Sequence, residues 1–290
     1  MKAALIGKNI SSSLTPKLHV QEAKSQGFSY SYGRIDPSET HPDLPNISDC
    51  LHWAEDQGVA GVNITHPFKN EVVAHVDELS PIATKLASVN TIVFSDGRRV
   101  GHNTDYHGFL TALQLSLPNH TKTTCLVFGA GGAASAVGLA LLDSGVQNLT
   151  IIDPQENRAR DLAEKLRGLR PDCALSHSRL CTNDILVRTN GVVNATPLGM
   201  GGDQRKAFDP RKLTLGTWVA DIVYFPLKTP LLQAAKACGL TVLSGRSMAL
   251  HQAAEAFQLL TGRRANVERM NAHLSTLLEG KIPRSETEHV

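Results

Sequence analysis

The feature that most constrains the fold is a strand, turn and helix in the middle of the chain, TTCLVFGAGGAASAVGLALLDSG (residues 123–145). The apolar, β-rich run at its start is typical of a buried strand. A turn rich in glycine follows, and apolar residues then recur at helical spacing until Gly145, a glycine of the kind that ends helices. The segment therefore predicts a strand that passes through a tight turn directly into a helix.

The chain beyond this segment continues to alternate between strands and helices. Four further apolar runs and one mixed run predict strands: NLTIID, CALSH, GVVNAT, TWVADIVY and LTVLSG. The segments RARDLAEKLRG and TPLLQAAKACG have the pattern of amphipathic helices. Six strands between about 123 and 245, alternating with helices, predict a parallel sheet with right-handed crossovers, doubly wound in the Rossmann manner.

The first hundred residues also read as α/β. KAALIG, FSYSYGRID and GVAGVNIT predict strands, SLTPKLHVQEAKSQG a helix, and NTIVFSDGRRVGHNT a hairpin around Asp96-Gly97. Two helices are predicted after Met248, and the last residues, KIPRSETEHV, are expected to fray. No internal repeat is apparent. We predict an α/β chain of two domains, 1–106 together with 248–290 and 107–247, with the C-terminal helices packing back on the first domain.

Composition narrows the classes of function. The 290 residues carry a net charge of +2, which gives no electrostatic reason to expect nucleic acid or an anionic membrane as a partner. The sequence has no apolar run of membrane-spanning length, and its N-terminal apolar run is too short for a signal peptide. Five cysteines without C-x-x-C spacing favour a reducing, cytoplasmic location without disulfides, and the twelve histidines form no H-E-x-x-H motif, so we expect no metal.

The glycine turn predicts a dinucleotide site. Residues Gly129, Ala130, Gly131, Gly132 and Ala133 would bring pyrophosphate close to the amides at the start of the helix. The next strand ends at Asp153, 24 residues after Gly129, where an acid can accept hydrogen bonds from ribose hydroxyls and repel a 2′-phosphate.

Two alternatives remain open at the end of that strand. Because Asp-Pro is a common turn starter, Asp153 could simply cap the following loop. Arg158 could serve a phosphate, stack on adenine or stay solvated. An acid that precedes the arginine favours NAD as the cofactor over NADP.

Several ordered motifs carry a family resemblance over essentially the whole chain: SSSLTPKLH, GVNITHPFK, ASVNT, GHNTDYHGF, NATPLGM, DIVYFPLKTPLL and GRSMALHQAAEAF. Together they resemble the shikimate dehydrogenase family, and within it the NAD-using quinate/shikimate dehydrogenase branch. The resemblance implies an oxidoreductase that interconverts quinate or shikimate, small cyclohexane or cyclohexene carboxylates, with the 3-dehydro compound. It implies an active site in a cleft between the domains, with 1–106 and the C-terminal helices binding substrate. Oligomeric state is expected to be monomer or homodimer.

The resemblance also implies residue roles. Lys69 and Asp105 match the catalytic pair, in which a lysine beside the alcohol relays its proton; on residue type alone they could equally be a surface ion pair. Ser13 and Thr15 match the hydroxyls that bind the substrate carboxylate, although Thr15 could also cap its helix. The other substrate positions are Asn63, Thr65, Asn90, Tyr224 and Gln252. The other cofactor positions are Thr196, Pro197, Met200, Val223, Gly245 and Met248.

Two residues depart from the family pattern, Tyr106 and Ala249, and both are expected to reshape the substrate pocket. Three alternatives to the main prediction follow. The protein could be an NADP-dependent biosynthetic shikimate dehydrogenase, a paralogue acting on a shikimate analogue, or a non-catalytic NAD-binding regulatory module. The last alternative predicts the loss of Lys69 or Asp105, and both residues are present.

Overall fold

The computed structural model describes residues 1–280, so the predicted frayed segment KIPRSETEHV lies outside the described residues. Backbone contacts divide the chain into two compact units. Unit 1 comprises Met1–Ser80, Ser88–His102 and the chain from Ala253 onward. Unit 2 comprises Pro81–Ala87 and Asn103–Gln252. The predicted roles of the two domains, substrate binding and dinucleotide binding, stay predictions.

The strands are β1 Lys2–Ile6, β2 Ser31–Ile35, β3 Gly61–Ile64, β4 Glu78–Leu79, β5 Thr91–Ser95, β6 Arg98–His102, β7 Thr124–Phe128, β8 Asn148–Ile152, β9 Ala174–Ser178, β10 Gly191–Asn194, β11 Trp218–Asp221 and β12 Thr241–Ser244. The helices are α1 Thr15–Ser25, α2 Ile47–Asp56, α3 Pro81–Leu86, α4 Thr104–Ser116, α5 Gly132–Asp143, α6 Glu156–Leu169, α7 Asn183–Val187, α8 Pro230–Ala237, α9 Gly245–Thr261 and α10 Val267–Glu279. Three short 3₁₀ turns cover Glu71–His75, Met200–Gly202 and Pro210–Lys212.

Unit 1 is built on a mixed sheet with strand order β2-β1-β3-β5-β6-β4. Strands β1, β2 and β3 are parallel, and their last residues, Ile6, Ile35 and Ile64, lie in register. Strand β5 runs antiparallel to β3 and forms the predicted hairpin with β6. Asp96 and Gly97 both have positive φ, at 52° and 71°, which is the geometry that a two-residue hairpin turn requires.

The C-terminal helices pack on unit 1, as predicted. Phe257 and Leu260 of α9 are buried against β1, α1 and Tyr30. Glu22 of α1 is fully buried and accepts hydrogen bonds from the Arg269 guanidinium of α10 at 2.6 and 2.9 Å. Burial opposes ionisation, but these hydrogen bonds outweigh it, so the pKa of Glu22 lies below its ordinary value. The ion pair joins α10 to α1.

Unit 2 confirms the doubly wound prediction. Its six strands are all parallel, in the order β12-β11-β10-β7-β8-β9. Chain order reverses at β7, so the turns after β7 and β10 lie beside each other at the carboxyl edge, where doubly wound sheets bind ligands. Helix α5 buries Val137, Ala140 and Leu141 as its spacing predicts.

Helices α2, α3, α4 and α7 were not predicted from the sequence. Helix α4 begins within the motif GHNTDYHGF. The polar residues of its first turn hide the helical pattern of its buried apolar residues Phe109, Ala112 and Leu113. Asn103 caps this helix by accepting a hydrogen bond from the Tyr106 amide at 3.3 Å. Among residues 1–280, no helix is long and apolar enough to cross a bilayer.

Candidate active site

Three of the predicted substrate residues of unit 1, Ser13, Thr15 and Thr65, follow the carboxyl ends of β1 and β3. The two loops are joined by hydrogen bonds from the Lys8 amide to the His66 carbonyl at 3.0 Å and from the Thr65 amide to the Ile6 carbonyl at 2.9 Å. Parallel pairing of the strands therefore brings the Ser13 loop and the Thr65 loop to one edge of the sheet.

The start of α1 corrects one expectation. Its cap position is Leu14, and no side-chain cap bond is made within the described chain, so the suggestion that Thr15 caps the helix is wrong. Thr15 is instead the first helical residue, and its amide donates to the Ser13 hydroxyl at 3.4 Å. Arg34 of β2 donates to the Ser13 carbonyl at 2.9 Å and so ties this loop to the sheet.

Asn63 and Asn90 are both buried and belong to one hydrogen-bonded group. The Asn63 amide nitrogen donates to the Asn90 carbonyl at 3.2 Å and to the Thr91 hydroxyl at 2.8 Å. The Asn63 side-chain oxygen accepts a hydrogen bond from the Tyr32 hydroxyl. The Thr91 hydroxyl in turn donates to the Asn90 side-chain oxygen at 3.2 Å. Neither Tyr32 nor Thr91 was singled out from the sequence.

The predicted catalytic pair is divided between the units. Lys69 is half-buried in unit 1, and its carbonyl accepts from the Val89 amide at 2.8 Å. Asp105 lies in the first turn of α4 in unit 2 and is only 5% exposed. Their pairing stays a prediction.

Gln252, predicted to bind substrate, lies where α9 crosses α4 within unit 2. Its side-chain oxygen accepts from the Thr104 hydroxyl at 3.4 Å. Gly108 permits this crossing, because a Cβ there would lie 2.8 Å from the Met248 carbonyl and 2.9 Å from the Gln252 amide. Gln252 is thereby held one residue from Asp105 on the neighbouring helix.

Tyr106 does not act as the sequence suggested. Its ring is buried in the core of unit 2, and its hydroxyl donates to Asp143 at 2.7 Å. Asp143 also binds Arg170 at 2.7 Å. The expectation that Tyr106 reshapes the substrate pocket is therefore wrong, because this side chain is committed to packing α4 against α5.

The glycine turn, predicted to bind a dinucleotide, is tightly packed at Gly129 and open at Gly131. Gly129 has φ +101°, and a Cβ there would lie 2.8 Å from the Ala195 carbonyl, so only glycine fits. At Gly131, the cap position of α5, a Cβ would approach only the Arg158 guanidinium, at 3.9 Å. No side chain of the described residues caps this helix, and amides at an uncapped helix start are donors that suit an anion.

Asp153 lies beside this turn and is 8% exposed. Its carboxylate accepts from the Ala130 amide and from the Gln155 amide, each at 2.9 Å. The capping alternative is thus realised, because the bond to Gln155 closes the Asp-Pro loop. The bond to Ala130 places the same carboxylate at the predicted dinucleotide turn.

A buried carboxylate that the sequence analysis missed organises the neighbouring loops. Asp221, at the end of β11, is 1% exposed and accepts from Asn194, from the Val223 amide and from the Thr229 hydroxyl. Asn194 also accepts from the Thr196 amide and hydroxyl. Burial raises the pKa of Asp221 even though these bonds oppose the rise.

The remaining cofactor positions lie on these two loops or, for Gly245 and Met248, in the first turn of α9. Pro197 and Met200 are exposed, Met200 by 57%, whereas Val223 and Met248 are buried. Gly245 opens α9, and a Cβ there would lie 2.4 Å from the Ile222 carbonyl. Tyr224 lies in the loop three residues beyond β11 rather than at the strand end.

All five cysteines are free thiols. Within residues 1–280, no group of three or more histidine, cysteine, aspartate or glutamate side chains could hold a metal ion.

Comparison with known proteins agrees with this architecture. Residues 5–92 match the model of the shikimate dehydrogenase substrate binding domain, and residues 245–274 match that of the shikimate 5′-dehydrogenase C-terminal domain. A shikimate dehydrogenase (NADP(+)) of Pseudarthrobacter chlorophenolicus is 41% identical over 94% of both chains. A quinate/shikimate dehydrogenase (NAD(+)) of Corynebacterium efficiens is 40% identical over 94% of this chain and 97% of its own.

A solved structure shares the fold. Quinate dehydrogenase from Corynebacterium glutamicum in complex with NAD superposes with a TM-score of 0.90 at 39% identity, over 95% of this chain and 99% of that chain. The sequence matches cover 94% of this chain and the structural match covers 95%. This chain therefore belongs to the shikimate dehydrogenase family of oxidoreductases.

Proposed function

We propose that this protein is an NAD-dependent dehydrogenase that interconverts quinate, shikimate or both with the 3-dehydro compound. The observation that carries the choice of cofactor is Asp153, a carboxylate held at the glycine turn by the Ala130 amide. A 2′-phosphate brought to this place would meet a negative charge, whereas ribose hydroxyls would meet an acceptor. Relatives named for NAD and for NADP are about equally similar to this chain, so this local chemistry bears the argument.

In the predicted reaction, this chain's own residues take up the proton of the substrate hydroxyl. A bound nicotinamide dinucleotide supplies the hydride acceptor. As hydride leaves the carbinol carbon, the hydroxyl proton must leave too, and Lys69 would relay it and stabilise the developing charge on oxygen. Asp105 would orient the lysine or a ring hydroxyl.

The substrate side of the proposal rests on neutral polar groups. Between them, the amide and hydroxyl groups of Asn63, Thr65, Asn90 and Gln252 offer both donors and acceptors, which suits a ring with several hydroxyls. Ser13 and Thr15, with the amides at the start of α1, suit the substrate carboxylate.

One observation favours the NADP-dependent alternative. The Arg158 guanidinium lies close to Gly131 at the dinucleotide turn, where a cation could serve a 2′-phosphate. Initial rates on quinate and shikimate, each with NAD and with NADP, decide between the two. We expect kcat/KM to be at least tenfold higher with NAD. A preference for NADP would contradict the assignment of Asp153, and NAD binding without turnover of either compound would favour the regulatory module.

A lysine variant tests the catalytic assignment. We expect Lys69→Ala to lower kcat by about 10²- to 10⁴-fold, the range contributed by a positioned acid or base, while NAD affinity stays within twofold. Lys24→Ala, which removes an exposed lysine from the last turn of α1, is the matched control. Unchanged turnover in Lys69→Ala would refute the role of this lysine.

A further inference from the structure

We propose that Tyr32 and Thr91 are positioning residues that fix which end of the Asn63 and Asn90 side-chain amides faces the substrate. The inference rests on the proposed function, since it assumes that these two asparagines bind ring hydroxyls. It assigns roles to two residues to which the proposed function gives none.

The orientation of Asn63 follows from one acceptor. The side-chain atom that lies 3.2 Å from the Asn90 carbonyl must be the nitrogen, because a carbonyl oxygen can only accept. The other end, the amide oxygen, then faces Tyr32, whose hydroxyl must donate to it. Asn63 is 5% exposed, so water is a poor substitute for this donor.

The order continues through Thr91. Asn63 uses its second amide hydrogen on the Thr91 hydroxyl at 2.8 Å. The Thr91 side chain is fully buried, and its own hydrogen goes to the Asn90 side-chain oxygen at 3.2 Å. Donors and acceptors thus run in one direction, from Tyr32 to Asn63 to Thr91 to Asn90. We call these four side chains the amide relay.

The relay has a chemical consequence for recognition. Both amide hydrogens of Asn63 are used inside the protein, so toward a ring hydroxyl Asn63 has only a lone pair of its oxygen to offer. The Asn90 amide presents its oxygen to Thr91, which turns its nitrogen away from Thr91. Asn63 is therefore set to accept a hydrogen bond from a ring hydroxyl, and Thr91 fixes which end of the Asn90 amide faces Asn63 and Thr91.

The chain offers a matched control for Tyr32. Tyr30 lies in the same aromatic cluster, with its ring 6.1 Å from that of Tyr32. It is 8% exposed, and its hydroxyl has no partner among residues 1–280. Removing either hydroxyl leaves the ring packing in place, but only the loss at Tyr32 deprives Asn63 of its donor.

The experiment compares Tyr32→Phe with Tyr30→Phe in the full-length protein, with quinate and shikimate as substrates and NAD as cofactor. We expect Tyr32→Phe to raise the substrate KM about tenfold, with the NAD KM unchanged and kcat lowered less than threefold. Tyr30→Phe should keep all three constants within twofold of wild type. Thermal unfolding of both variants shows whether each is folded at the assay temperature.

A second pair of variants keeps the test sharp. Thr91→Val removes the central hydroxyl at nearly constant shape and should raise the substrate KM as Tyr32→Phe does, whereas Thr91→Ser retains the hydroxyl and should recover most of that loss. Equal substrate KM values in Tyr32→Phe and Tyr30→Phe, with a functional wild type, would overturn the inference alone. Absence of wild-type turnover on both compounds would overturn the proposed function and the inference with it.

Discussion

The two units contain the same loop at the same place in their sheets. Strand β2 ends at Ile35 and is followed by Asp36-Pro37-Ser38-Glu39, and strand β8 ends at Ile152 and is followed by Asp153-Pro154-Gln155-Glu156. Each strand pairs in parallel with the first strand of its unit. In each loop the aspartate accepts from the amide two residues on, and also from an amide in the loop after the first strand, Ile10 in one case and Ala130 in the other.

The two aspartates differ in what else surrounds them. Asp36 is 2% exposed and also accepts from the Ser38 hydroxyl. Burial would raise its pKa, but the hydrogen bonds from Ser38 and the Ile10 amide outweigh this, and the pKa of Asp36 lies below its ordinary value. Asp153 has no such hydroxyl, and the loop it holds is the glycine turn. An Asp-Pro sequence after a strand therefore closes its loop in both units. Only the neighbouring glycine turn makes Asp153 a candidate for binding a nucleotide.

The largest effect is expected from a substitution in the glycine turn, the feature that distinguishes the Asp153 loop from the Asp36 loop. Gly129→Ala places a Cβ 2.8 Å from the Ala195 carbonyl at a φ of +101°, so the turn must move. We expect the NAD KM to rise about 100-fold, which is about 2.7 kcal/mol, with shikimate affinity within twofold of wild type in a direct binding measurement. Gly168→Ala, in an open position of α6, is the control and should leave the NAD KM unchanged.

If Gly129→Ala failed to fold, it would say nothing about cofactor binding, so Gly131→Ala is a second test of the same turn. Its Cβ meets no atom closer than 3.9 Å and should not lower the melting temperature, yet it enters the space expected for the anion. An NAD KM within twofold of wild type in both variants would show that the turn does not bind the cofactor.

Local chemistry explains which features could be predicted from the sequence. The six strands of unit 2, the glycine turn and the Asp96-Gly97 hairpin each depend on residues close together in the chain, where periodicity and turn preference act. Helix α4 was missed because its polar first turn masks its apolar face.

The missed site residues depend on contacts between distant segments. Tyr32 meets Asn63, and Asp221 meets Asn194, each across about thirty residues of chain, and the direction of the Tyr106 side chain is set by Asp143 on another helix. No spacing rule encodes these contacts. The five-residue likeness of the two Asp-Pro loops was visible in the sequence but is too short to be read as a repeat, and only the hydrogen bonds give it meaning.

The next prediction sharpens the comparison by making the same substitution in both loops. Asp153→Asn removes the negative charge that would repel a 2′-phosphate and keeps the size of the side chain. We expect the ratio of kcat/KM with NAD to that with NADP to fall about tenfold, or about 1.4 kcal/mol. Asp36→Asn should leave this ratio within twofold of wild type. An equal ratio in both variants would mean that Asp153, like Asp36, only closes its loop.

The smallest expected effect concerns the stability that Asp36 provides. An asparagine can accept at one end only, so either the Ile10 amide or the Ser38 group loses its acceptor, and we expect Asp36→Asn to lower the free energy of unfolding by about 1 kcal/mol at pH 7. Because the folded pKa of Asp36 lies below its unfolded value, this stabilisation is present above the ordinary carboxyl pKa of about 4 and is lost as pH falls through the folded value. Urea titrations of wild type and variant should therefore differ most near neutral pH, and the difference should shrink as pH falls below about 4. A difference that stays constant down to pH 3 would mean that the charge of Asp36 contributes nothing, and that the loop is held by shape alone.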